Sequence, residues 1–359
     1  MNFIKLIWKY IKIFKSLVKF LVSRRIVCTE EESAEAYLRQ IAPPPESTPC
    51  TENNIGDAET DLMIIVPAYN SELWIEECIL SILSQKTEYS FKAVFVDDGS
   101  TDSTGEILDR FTTDSKVTII HQDNRGYSGA RNVALKNICS KYIMFVDSDD
   151  YLLPNAIQCL MDTAQKEDAD IVEGNGYTFN EKCRINRVKQ DTSSNVEDSY
   201  WGGPCLKIMK ASLWKNFEFP EGYLYEDTII GSLIFPSASK ICFVDDEIYA
   251  YRIHNNSITQ KHDTNLRRVD SFWIMLLMAS IQDKCGIARD YNSYRKAMKH
   301  IVFTYRRTIL LPERVKEAIF ICTKAFLEKY YNEYVNKKDK YYLLAYAIMK
   351  KNYAKYAVY

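Results

Sequence analysis

Over residues 62–173 the hydrophobic pattern alternates between two periods, and this alternation constrains the fold more than any other feature of the chain. Short apolar runs rich in β-branched and aromatic residues fall at 62–66, 92–96, 117–121, up to Val146, and near 169–173. Between them lie helix-period segments at 72–84, 103–111 and 128–138, and from Pro154 onward. Apolar strands separated by amphipathic helices specify an α/β fold with a mostly parallel sheet covered by helices. Right-handed crossovers then bring the carboxyl ends of the strands, and the loops after them, to one edge of the sheet. Ligands of open α/β sheets bind at that edge.

The loops expected there carry unusual residues. The first apolar run ends in Val66-Pro67-Ala68-Tyr69-Asn70, where Pro67 is expected to halt the strand ladder and Tyr69 offers a ring for stacking. The second ends in Val96-Asp97-Asp98-Gly99-Ser100-Thr101-Asp102. An acid in this place can accept a ring N–H of a base, Gly99 permits a sharp turn, and Asp102 or Ser103 can cap the next helix. The third loop, Asn124-Arg125-Gly126-Tyr127-Ser128-Gly129-Ala130-Arg131-Asn132, has glycines that admit a ligand close to the backbone. Its Arg131 suits phosphate or ribose, or a salt bridge that anchors the helix. The fourth is Asp147-Ser148-Asp149-Asp150. Two acids spaced by one residue can grip a hard divalent cation, which in turn neutralises a diphosphate. Alone, each piece also fits an ordinary turn. Their order on successive strand–helix units is what is specific.

The flanks differ in kind. Lys5, Lys9, Lys12, Lys15 and Lys19 occupy one arc of roughly 120° when wound at helical pitch. Opposite them stand Phe3, Leu6, Ile7, Tyr10, Ile13, Phe14, Leu17 and Leu21. Residues 1–27 therefore read as a basic amphipathic helix of the kind that lies on an anionic membrane face, neither cleaved nor spanning. Residues 28–60, with Pro43-Pro44-Pro45 and many small polar residues, read as a linker that holds at most a short helix at 30–40. From residue 261 to 359 the pattern is helical and rich in Tyr and Lys, fitting buried rings under a solvated face or a second membrane contact.

Composition excludes several classes. The formal net charge of −2 over 359 residues gives no basic field for nucleic acid. The 10 cysteines form no Cys-x-x-Cys pair, which argues against a zinc knuckle and for a reducing compartment.

Taken together, the four loop motifs resemble glycosyltransferase family 2, whose members are inverting enzymes with a GT-A fold. The similarity covers residues 61–260, divided into a nucleotide-binding half at 61–173 and an acceptor half at 174–260. In the acceptor half it includes the Lys-containing segment 207–213, Phe219-Pro220-Glu221-Gly222 ahead of Tyr225-Glu226-Asp227-Thr228, and Tyr251-Arg252-Ile253-His254 with Ser257-Ile258-Thr259. The last of these resembles the closing segment of bacterial capsule and exopolysaccharide transferases. The resemblance implies that Pro67, Tyr69, Asn70 and Asp98 hold base and ribose, with Arg131, Asp147 and Ser148 also on the nucleotide sugar. It implies that Asp147, Asp149 and His254 bind Mn²⁺ or Mg²⁺, that Asp227 is the general base, and that Glu226 orients it.

The implied function is a hexosyl- or N-acetylhexosaminyltransferase in bacterial surface-polysaccharide synthesis. The expected donor is a nucleotide sugar, UDP-linked first among them, and the acceptor a glycan or lipid-linked hydroxyl. The expected location is cytoplasmic, peripheral on the inner face of the cell membrane, with homo-oligomerisation left open. Two alternatives stand beside it. A sugar nucleotidyltransferase would need a Gly-rich, basic start for a triphosphate, which the chain lacks. A non-catalytic membrane-peripheral module on the same scaffold would be expected to lose Asp149 or Asp227, and both are present.

Overall fold

The computed structural model describes residues 31–180, 183–188, 202–254 and 264–357. The basic helix expected over residues 1–27 and the segment 255–260 lie outside the described residues. The chain divides into two compact units, one of Pro45–Lys261 with Ser280–Ile287, the other of the remaining flanks.

The first unit is built on one sheet of order β3-β2-β1-β4-β8-β6-β9-β5, with β7 (Arg184–Val188) paired to β6. Strands β1 (Asn54–Ala68), β2 (Phe91–Asp97), β3 (Val117–His121) and β4 (Asn137–Phe145) run parallel. β8 (Lys207–Lys210) is antiparallel to both β4 and β6 (Ile171–Phe179). β9 (Ile241–Arg252) is parallel to β6, and the two-residue β5 (Tyr151–Leu152) closes the far edge antiparallel to β9. The order reverses direction at β1, between β2 and β4. That reversal is the switch point at which a doubly wound sheet opens a crevice for ligand.

Alternation within the strands sorts the core into two faces. Leu62, Ile64 and Val66 of β1, with Phe95, Met144 and Val146, pack with α2 (Ile75–Leu83) and α5 (Ala156–Glu167). On the other face Phe145, Trp214 and Phe219 meet with ring centroids 5.0–5.3 Å apart. Short α3 (Thr104–Asp109) and α4 (Gly126–Leu135) complete the crossovers.

Two local expectations are corrected. The first strand does not start at 62: residues from Asn54 already pair with β4, across a register shift between Ile55 and Thr60. Nor does Pro67 end the ladder, because it is paired with Val96, and Ala68 with Asp97. The reason is directional. Val146 N donates to Ile65 O, so odd-numbered residues of β1 address β4, whose ladder has ended before Pro67 needs a donor.

The second unit is helical. Helix α1 (Glu31–Ile41) buries Ala34 and Leu38, one turn apart. Arg39 lies over the Trp273 ring at 5.1 Å, and Trp273 Nε1 donates to Ala42 O at 2.7 Å. Helix α6 (Asp270–Lys284) is followed by α7 (Tyr291–Arg307), α8 (Glu313–Tyr331), α9 (Tyr342–Met349) and α10 (Tyr353–Tyr356). Several tyrosines of this region are core: Tyr294, Tyr331, Tyr353 and Tyr356 are buried, whereas Tyr346 is exposed. Among the described residues no helix is long and apolar enough to cross a membrane.

Candidate active site

The loops after β1, β2 and β3 are joined by polar contacts. Gly99 sits at φ +74°, and a Cβ there would stand 3.0 Å from Asn124 N and 3.2 Å from Gln122 O, so backbone meets backbone. Asp98 N donates to Ala68 O. Asp98 Oδ1 accepts from Gln122 Nε2 at 2.6 Å and from Arg125 N at 2.8 Å. Its other oxygen, Oδ2, is buried and has no hydrogen-bond partner among the described residues. Asn70 is left-handed at φ 49°; its N–H donates to Ser100 Oγ and its Oδ1 accepts from Thr101 N at 2.8 Å. Tyr69 is 46% exposed beside it, which leaves its ring available. Asp102 Oδ1 accepts from Thr104 N, so of the two expected caps Asp102 is the one that bonds the start of α3.

The neighbouring Asp97 has a different task. Its Oδ1 accepts from Ser100 N and its Oδ2 meets His121 Nδ1 at 2.9 Å, while His121 Nε2 reaches Asp109 at 3.1 Å. The hydrogen bond with Asp97 raises the His121 pKa; partial burial opposes this and Asp109 reinforces it.

The acidic loop after β4 is pinned from β9. Asp147 N donates to Tyr249 Oη at 3.1 Å, and Tyr249 Oη donates to Asp150 Oδ2 at 2.8 Å. Arg252 N donates to Asp150 Oδ1 and Arg252 Nε to Asp149 O, both at 2.7 Å. Burial pushes the Asp150 carboxyl well above its ordinary value, with Asp149 and Asp147 adding to the effect. Ser148 Oγ lies 2.7 Å from Ser71 Oγ, tying the acidic loop to the end of β1. Asp149 Oδ2 meets His254 Nε2 at 2.8 Å, and the imidazole rests on Trp74 with centroids 4.1 Å apart. Burial and the nearby Asp147 raise the Asp149 pKa, and His254 partly offsets them. Among the described residues no three His, Cys, Asp or Glu side chains are gathered as a metal cage. Asp149 and His254 form a carboxylate–imidazole pair, and Asp147 Oδ1 beside them accepts from Arg131.

Arg131 links this loop to the segment that holds Glu226 and Asp227. It is 4% exposed; one terminal nitrogen donates to Asp147 Oδ1 and the other to Glu226 Oε1, each at 2.9 Å. Phe219 lies under its guanidinium at 5.2 Å. Burial works against the charge, but Asp147 and Glu226 outweigh it and hold the pKa above its ordinary value. The same helix also holds the segment 219–221. Asn132 Nδ2 donates to Phe219 O and its Oδ1 accepts from Phe219 N, both at 2.8 Å. Ser128 Oγ donates to Pro220 O, and Arg125 pairs with Glu221 at 2.6 Å. Tyr225, just ahead of Glu226 and Asp227, is left-handed at φ 70°, a conformation that costs a non-glycine residue about 1–3 kcal/mol. Asp227 is half-buried, and its carbonyl accepts from Ile230 N at the start of the helical turn that follows.

Beneath the segment lies a pair that residue patterns did not flag. Lys207 and Glu173 are both fully buried with Nζ and Oε2 3.3 Å apart. Lys207 Nζ also donates to Gly203 O at 2.6 Å and Cys205 O at 3.1 Å. Burial lowers the lysine pKa, against the opposing pull of Glu173 and, more weakly, Asp227. Glu173 stands at the end of the apolar run 169–173, and an acid there was the available signal.

Residues 63–224 match the family model described as Glycosyl transferase family 2. Glycosyltransferase GlyG of Streptococcus pneumoniae serotype 4 is 33% identical over 220 residues, covering 55% of this chain and 72% of GlyG. GlyA of the same organism is 32% identical over 223 residues, and there the chain spans only 31% of the relative's length. Poly(ribitol-phosphate) beta-glucosyltransferase of Bacillus spizizenii is 32% identical over 204 residues, covering 54% of this chain and 32% of that enzyme. In fold, the chain is similar to residues 1–349 of S. aureus TarS in complex with UDP-GlcNAc, at a TM-score of 0.70 and 20% identity, over 83% of this chain and 89% of that one. The GT-A-like sheet, the order of the four loops and these relatives lead to one conclusion: this chain is a glycosyltransferase and belongs to glycosyl transferase family 2.

Proposed function

We propose that the protein transfers a sugar with inversion from a nucleoside diphosphate sugar, UDP-linked, to a hydroxyl of a glycan or lipid-linked acceptor in bacterial surface-polysaccharide synthesis. The observation that carries this reading is Asp98 Oδ2, a buried acceptor at the carboxyl edge of the sheet with no partner among the described residues, which would take a ring N–H of the base. Tyr69 offers a ring to stack against base or ribose. Asp147 and Asp149, with His254, are a donor set suited to Mn²⁺ or Mg²⁺. When bound, the cation neutralises charge on the departing diphosphate. Asp227 takes the proton of the acceptor hydroxyl as that oxygen attacks the anomeric carbon. Glu226, tethered by Arg131, sets the position of the segment that carries Asp227. An α-linked donor then yields a β-linkage. Residues 1–27 seat the enzyme on the inner face of the cytoplasmic membrane near lipid-linked acceptor.

Titration calorimetry with nucleoside diphosphates, with and without Mn²⁺, tests the reading. Metal-dependent binding of UDP supports it. Failure of every diphosphate to bind under both conditions overturns it.

A further inference from the structure

Gln122 was singled out by no motif, yet it makes the shortest hydrogen bond to Asp98. Its Nε2 donates to Asp98 Oδ1 at 2.6 Å. The amide orientation follows from chemistry, because only the NH₂ end can face a carboxylate oxygen. Gln122 is itself fixed by its backbone: its N–H donates to Asp97 O at 3.0 Å, and its carbonyl lies against Gly99. A second donor, Arg125 N, approaches the same Oδ1 at 2.8 Å. Thus one carboxylate oxygen is doubly occupied and the other, Oδ2, is buried with nothing to accept from among the described residues. A carboxylate free to turn could offer either oxygen to a ligand, whereas here Oδ1 is held by two donors and Oδ2 is the oxygen left over.

We propose that Gln122 is a specificity-determining positioning residue that holds Asp98 so that Oδ2 alone reads the base, selecting bases with a ring imino N–H. This rests on the assignment of Asp98 to the base. Uracil and guanine carry an imino proton on the Watson–Crick edge. Cytosine and adenine present a ring nitrogen lone pair at the corresponding atom, which a carboxylate oxygen repels. A site built to bond an N–H rejects analogues lacking it far more strongly than an apolar site can.

The test is calorimetry on the full chain with Mn²⁺, titrating UDP, GDP, CDP and ADP into wild type, Gln122→Met and Asp98→Asn. Met has nearly the length of Gln and no donor, and thermal unfolding confirms that the variant is folded. Wild type is expected to bind an imino base, UDP or GDP, in preference to CDP and ADP. Gln122→Met should weaken that binding by about tenfold or more, consistent with loss of a hydrogen bond to a charged group. It should also narrow the UDP-to-CDP ratio, which a merely structural defect would leave unchanged. If Asp98→Asn loses base selectivity while Gln122→Met keeps the wild-type ratio, the role of Gln122 is overturned and the reading of Asp98 stands. If Asp98→Asn binds every diphosphate as wild type does, the base assignment fails, and the inference with it.

Discussion

Arg131 donates to Glu226 at 2.9 Å across 95 positions of the chain and so ties helix α4 to the segment that carries Asp227. The other end of the same guanidinium holds Asp147 at 2.9 Å. Because the arginine is buried, its removal leaves two carboxylates facing each other without a counter-charge. Arg131→Met should therefore cost about 3–5 kcal/mol of stability, read by urea unfolding. Arg131→Lys keeps a charge but lacks the planar fork, so it should retain more stability while transfer falls. Wild-type transfer by Arg131→Lys would show that the two-pronged contact is dispensable.

The acid loop and the acceptor segment are expected to separate by function. Asp149→Ala should abolish metal-dependent binding of the donor. Asp227→Asn should bind donor within about twofold of wild type but transfer sugar about 10²–10⁴-fold more slowly, the range for loss of a general base. Single-turnover transfer beside calorimetry distinguishes the two. Wild-type transfer by Asp227→Asn would move the base elsewhere.

His121 links pH to stability. Its pKa is raised in the folded state, chiefly by Asp97, so the folded protein binds the proton more tightly than the unfolded chain. The stabilisation is complete below the unfolded histidine value, about 6.5, and is lost as pH rises through the folded value. Thermal unfolding should show a lower Tm on going from pH 6 upward through that value, and His121→Gln should flatten the profile over that window. The side chain is 48% exposed, so the effect should be modest and should weaken with salt.

The buried Lys207–Glu173 pair makes a double-mutant cycle informative. Lys207→Met alone should cost about 3–5 kcal/mol, because Glu173 then keeps a buried charge without its cation. Lys207→Met combined with Glu173→Leu should recover much of that loss. Recovery should be incomplete, since the lysine also satisfies the carbonyls of Gly203 and Cys205. Additive losses in denaturant unfolding would show that the two charges do not interact.

The parallel half of the sheet was legible because each of its strands contains a short apolar run followed by turn residues. The run 117–121 coincides with β3, and 92–96 lies inside β2. The extension of β1 back to Asn54 was not legible. Its residues are polar and mostly exposed, so no periodicity marked them, and only pairing with β4 makes them strand. The antiparallel insertion of β8 between β4 and β6 was hidden for a related reason. It is four residues long, and its place depends on partners more than 30 residues upstream in the chain.

By itself, the sequence determined which loops share the ligand edge, because strand and helix periods are local and the hand of a crossover is nearly invariant. It also supplied Asp98 and Asp149 in those loops and Asp227 in the later segment 225–228. The tertiary structure alone decided what those residues touch. Arg131 meets carboxylates from two halves of the unit, Gln122 occupies one oxygen of Asp98, and Tyr249 with Arg252 pins Asp150 and its loop. Such contacts join positions 16 to 102 residues apart and depend on sheet register and loop closure to within an ångström. A hydrogen bond is made or lost over that distance, and no local pattern of residue types encodes it.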